Sequence, residues 1–174
     1  MLGMAGAVCC LAAGTATGSW MKMRRMARWK LICAEMEALQ AMRLMLETER
    51  PALPELLDAC AGYTGEGDEM VKKRLMLTAQ HLRQEPADGI GAAYAFACAQ
   101  TMTAWEQAEE KEALESLFAQ LGSGTAAMRE QAVAACIRKL KPVCERAKTE
   151  AERAGRLCMQ LGLLLGMMAG IALW

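Results

Sequence analysis

The residues best suited to chemistry in this chain are its cysteines. There are eight, at positions 9, 10, 33, 60, 98, 136, 144 and 158, beside a single histidine, His81. A zinc or iron–sulfur site needs thiolates and imidazoles at ligand spacings such as C-x-x-C. No pair here has that spacing, and His81 has no evident co-ligand. The thiols outside the chain ends fall on or near apolar helical stripes, where a reduced cysteine packs as a small hydrophobe. A stoichiometric metal and a required disulfide are therefore not expected. The segment LGSGT (121–125) has the glycines of a phosphate loop but lacks the Gly-Lys-Ser/Thr ending and a preceding strand, so it reads as a helix cap. No nucleophile stands beside a base, and no two carboxylates share an obvious pocket. His81, next to a helical Arg83, reads as an exposed residue. The expectation is a non-enzyme with no cofactor and no nucleic-acid partner.

The acidic run EQAEEKE (106–112) is the remaining polar concentration, with Glu106, Glu109, Glu110 and Glu112. Glutamates and lysines at helical spacing make a solvated helix face. The same group is also the expected partner-binding surface, together with the charge-rich stretch GEGDEMVKKR (65–74).

These residues must be carried by helices. Between the chain ends the sequence is rich in Ala, Leu, Met, Glu, Gln, Lys and Arg, which favour helix, and it lacks runs of β-branched and aromatic residues. The fold class expected is all-α. Ile32, Met36, Leu39, Met42 and Leu46 form one apolar stripe. Pro51 should stop this helix at Arg50, and Pro54 should open a short one reaching about Cys60. GYTGEGD (62–68) reads as a loop, with Asp68 capping a helix to Gln84. EPADG breaks the chain again before a small-residue helix over 89–100. The run 103–122 reads as one helix with Trp105, Ala108, Leu114, Leu117, Phe118 and Leu121 inward. Ser123 or Thr125 then caps a last helix. Its stripe is Val133, Cys136, Leu140, Val143, Ala147, Ala151 and Ala154, with Pro142 expected to kink or break it.

Charge divides the chain. Formal net charge is zero, yet all forty Lys, Arg, Asp and Glu residues lie between Lys22 and Arg156. Residues 1–21 and 157–174 carry none. Eighteen helical residues span roughly 27 Å, against a hydrocarbon core of about 30 Å. Both ends are thus expected to be transmembrane helices, flanking a helical domain over 22–156. A cleaved signal peptide carries its basic residues before the apolar run, whereas Lys22, Arg24, Arg25, Arg28 and Lys30 follow it. Arg146, Lys148, Arg153 and Arg156 precede the second span. Basic flanks stay cytoplasmic, so 22–156 is expected in the cytoplasm and both termini outside. Gly14 and Gly18, and Gly162, Gly166 and Gly170, recur every four residues. That spacing puts small residues on one helix face and allows close packing of spans, within the chain or in a homo-oligomer.

The ordered set RRMARWK, LQAMRLMLETE, PALPELL, AWEQA, EALESLFAQLGSGT and GRLCMQLGLLLGMMAGIAL resembles the stage III sporulation protein AB family. The resemblance covers nearly the whole chain. It implies a cytoplasmic bundle like that of the F-type inner-membrane platform proteins of type II secretion and type IV pilus machines. It further implies a platform in the mother-cell membrane facing the forespore. There the protein would couple a stage III sporulation protein AA-type ATPase to other membrane subunits of a complex linking the two cells during engulfment. Two alternatives are a platform subunit of another secretion or pilus-like system, and a helical membrane sensor or ligand-binding module.

Overall fold

The computed structural model describes residues 2–63, 69–101 and 107–172, and the side chains of residues 20, 22–63, 69–101, 107–154 and 157. Six α-helices account for nearly all of them: α1 (Leu2–Thr48), α2 (Leu53–Tyr63), α3 (Glu69–Gln84), α4 (Gly89–Gln100), α5 (Ala108–Leu121) and α6 (Ala126–Ala172). A 3₁₀ turn at Pro86–Asp88 leads into α4. No strand occurs among the described residues.

Two compact units divide the chain, one of residues 1–29 with 146–174, the other of residues 30–145. In the first, Arg28 Nη1 reaches Glu150 Oε2 at 3.5 Å and ties the two helical segments together. Arg24 lies over the Trp20 ring, 4.6 Å from its centroid. Ala147, Ala151 and Ala154 are buried, as their stripe predicts. The expected spans 1–21 and 157–174 have helical backbone over 2–21 and 157–172. Their interhelical packing, including Gly14, Gly18, Gly162, Gly166 and Gly170, lies outside the described residues. Among the described residues no helix is long and apolar enough to cross a membrane.

The helical unit, 30–145, is built on the stripes. Ile32, Leu39, Met42 and Leu46 of α1 and Val133, Cys136, Leu140 and Val143 of α6 are all buried. Leu56, Leu57, Val71, Leu75, Ile90, Leu114, Leu117, Phe118 and Leu121 complete the core. Tyr94 of α4 and Phe118 of α5 stack at its centre, with ring centroids 3.8 Å apart and planes 7° from parallel. α4 and α5 pack closely at Gly91, where a Cβ would sit 3.4 Å from the Ala119 Cα, in van der Waals contact.

The stops follow local chemistry. Pro51 disfavours the right-handed helical region for Arg50, which takes φ +47° and donates its N–H to the Met45 carbonyl at 3.1 Å, closing α1. Gly124 turns the chain between α5 and α6 at φ +100°, a conformation that side chains rarely adopt. α2 runs to Tyr63, three residues beyond its expected end.

Three local expectations are corrected. α5 begins at Ala108 rather than 103, because a capping box starts it: the Gln107 N–H donates to Glu110 Oε2 at 3.3 Å, and the Gln107 side chain accepts from the Glu110 backbone. Ala108, expected inward, is exposed. α6 runs through Pro142 without a break. The proline lies on an exposed side of the helix, where solvent can serve the carbonyl its ring leaves without a donor. Trp105 and Asp68 lie outside the described residues.

Candidate functional site

Of the four glutamates singled out in the sequence, the structure brings two together. Glu109 and Glu112, exposed on α5, open onto a groove against α6 that Ala113, Ser116, Lys139, Leu140 and Val143 complete. Its volume is about 340 Å³. The groove has Glu109 and Glu112 of α5 on one wall, Lys139 of α6 on the other, and the buried Leu140 and Val143 as its apolar floor. Glu110 is not part of this surface. It is 2 % exposed and spends its carboxylate on the capping box, so its place in the partner-binding set is corrected to a fold role. Glu106 lies outside the described residues.

A second cleft, about 520 Å³, runs along α3 to the end of α4 and is lined by Glu69, Met70, Lys72, Lys73, Met76, Gln100 and Thr101. It contains the described part of the expected charge-rich stretch, except for two residues that point inward. Val71 packs in the core, and Arg74 is 3 % exposed.

Arg74 heads a polar network that sequence reasoning missed. Its Nη1 donates to Glu35 Oε1 of α1 at 3.1 Å, and its Nε donates to Thr101 Oγ1 at 3.0 Å. The Thr101 hydroxyl in turn donates to the Ala97 carbonyl at 2.8 Å, and Thr78 donates to the Arg74 carbonyl at 2.8 Å. Glu35 is 6 % exposed. The network therefore joins α1, α3 and the end of α4 beneath the second cleft. Tyr94 lies near it; burial first, and then the Glu35 carboxylate, push its phenol well above the ordinary range. The signal was present in the sequence. Glu35 falls between Ile32 and Leu39 on the α1 stripe, and Arg74 falls between Val71 and Thr78 on the inner face of α3. Space lined jointly by Glu35, Arg74 and Tyr94 amounts to about 20 Å³. That is far below the volume of a ligand pocket, so these groups hold helices together rather than a small molecule.

The expected exposed His81 is half-buried instead. It stacks on Phe96, with centroids 4.5 Å apart, and its Nε2 lies 3.4 Å from Asp88 Oδ2. Burial raises the Cys60 thiol to about 12 and the Cys136 thiol to about 11, which keeps both protonated at neutral pH. Cys33 and Cys144 face each other, with sulfurs 3.5 Å apart. Among the described residues no three His, Cys, Asp or Glu side chains gather as a metal-holding group.

The described residues thus define an all-helical protein whose polar surface features are grooves. Its buried charges brace the fold. The profile of the stage III sporulation protein AB family matches residues 3–174, and the chain belongs to that family. Membership gives the protein a sporulation-related role. No curated protein and no solved structure matches it.

Proposed function

We propose that this protein is a non-enzymatic membrane platform subunit of the sporulation complex linking mother cell and forespore, and that its helical domain couples a cytoplasmic ATPase to that complex. The observation that carries this reading is the family match along residues 3–174. Two features support it. The uncharged stretches at both ends are helical and of near-spanning length, with basic residues flanking each on the inner side. The Glu109–Glu112 groove offers a docking surface on the domain between them. The ATPase would be of the stage III sporulation protein AA type. Other membrane subunits would pack against the glycine-spaced faces of the spans.

The mechanism is mechanical and electrostatic. Two spans fix the domain at the mother-cell membrane, and the buried Glu35–Arg74 pair and the stacked core keep it rigid under load. Acidic side chains at the rim steer a basic partner surface and set its register more than they add raw affinity.

Topology is the first test. Reporter fusions after Trp174 and within 64–68 should read outside and cytoplasm respectively, and a cytoplasmic C-terminus would overturn the reading. The docking surface has its own test. Glu109→Lys with Glu112→Lys should leave the fold and the core intact, because both side chains are exposed, with only a small loss in melting from a lysine in the first turn of α5. Co-purification of the ATPase should fall severalfold, most clearly at low salt where screening is weakest. Unchanged co-purification by a normally folded double variant would remove this groove from the docking role.

A further inference from the structure

We propose that Cys33 and Cys144 form a redox-responsive dithiol that closes to a disulfide and staples α1 to α6 within the helical unit. Neither the family nor the platform reading assigns these residues a role, and the inference stands apart from both. The two sulfurs are 3.5 Å apart across a sequence separation of 111 residues. A disulfide is about 2.05 Å long, so closure asks for an approach of roughly 1.5 Å, within the reach of small side-chain rotations. Both thiols are half-buried, which leaves them open to a small oxidant. Their backbones are held firmly, since Ile32 and Ala34 flank Cys33 in the core and Val143 precedes Cys144 there.

The other described thiols are placed differently. Cys60, Cys98 and Cys136 are buried, and for Cys60 and Cys136 burial also suppresses the thiolate that exchange requires. Geometry and access together therefore single out one pair.

The oxidant required is a low-molecular-weight disulfide such as oxidised glutathione. The thiolate of one cysteine attacks it, releases one glutathione thiol and becomes a mixed disulfide. The second cysteine, as thiolate, attacks the protein sulfur of that mixed disulfide and releases the second glutathione thiol. The protein pair loses two electrons to the oxidant, and its two protons end on the two released thiols. In a reducing cytoplasm the pair rests as the dithiol. A shift to a more oxidising poise closes it and ties the first long helix to the last.

The test uses the full-length chain in detergent, titrated through glutathione redox buffers and mapped by mass spectrometry of non-reduced peptides. The expected product is a peptide joining Cys33 to Cys144, 2 Da lighter than the two thiol peptides together. Cys60 and Cys136 should remain as thiols. Oxidation should raise the melting temperature by roughly 10 °C, reversed by dithiothreitol, as expected for closing a long loop. Cys33→Ser and Cys144→Ser should each abolish both the cross-link and the shift. Stable glutathione adducts on Cys33 or Cys144 without a cross-link would overturn the proposal. So would cross-links between other cysteine pairs in comparable yield. The wild-type peptide map decides the matter even if a serine variant folds poorly.

Discussion

Arg74→Ala will lower the melting temperature of the helical unit by roughly 10–20 °C, corresponding to about 3–5 kcal/mol. The guanidinium is 4 % exposed on its side chain, and Glu35 opposite it is 7 % exposed. Removing the arginine takes the guanidinium away from a carboxylate that is buried from water, and it also strips Thr101 Oγ1 of the Arg74 Nε donor. Truncating one member of a buried pair costs far more than the pair contributes, because the survivor remains desolvated. Removing both charges together separates desolvation from lost packing. Arg74→Met combined with Glu35→Leu keeps the volume and removes both charges, so it should recover most of the loss. Thermal melts followed by circular dichroism, with amide exchange over residues 30–145, measure both variants. A loss below about 1 kcal/mol for Arg74→Ala would mean that the carboxylate finds water, and that the pair is not closed.

Phe118→Ala is expected to cost about 3–5 kcal/mol, from lost burial and the cavity left behind. The ring is 2 % exposed and lies against Tyr94, itself 3 % exposed. Its removal leaves the Tyr94 face without its stacking partner and opens space beside Leu39, Met42 and Leu114, which line the same small cavity. Phe118→Leu, which retains most of the volume, should cost less than half as much. A loss for Phe118→Ala no larger than for Phe118→Leu would show that α4 and α5 collapse onto the gap. Neither change touches the exposed glutamates, so ATPase association per folded molecule should be preserved in both.

The sequence disclosed what depends on periodicity. The stripes of α1 and α6 came out as read, because a helix with one buried side must repeat its apolar residues every three to four positions. Proline positions were partly legible. Pro51 ended α1 as expected, since it acts on the residue before it whatever the surroundings. Pro142 did not break α6, because its cost depends on whether the freed carbonyl is solvated, which only the packed structure decides. Charged residues were the weak point. Glu35, Arg74 and Glu110 look like solvated groups by type, yet each occupies an inward position of its helix. Position outweighs type when a partner is available, whether a guanidinium across the helix interface or a backbone N–H at a cap. Of the candidate docking surface, Glu109 and Glu112 were legible as an exposed acidic pair. Lys139 opposite them was not, because only the packing of α6 on α5 brings residues so distant in sequence to one groove. The Cys33–Cys144 pair was hidden for the same reason.

As proposed above, this chain anchors an ATPase to a membrane. The most direct measurement of this is vesicle flotation. The full-length protein is reconstituted into lipid vesicles, mixed with the purified stage III sporulation protein AA-type ATPase at low salt, and floated through a density gradient. The account predicts that the ATPase rises with protein-bearing vesicles, stays below with empty ones, and is left behind when Glu109 and Glu112 are both reversed to lysine. An ATPase that remains at the bottom of the gradient beneath vesicles carrying the folded wild-type protein would contradict it.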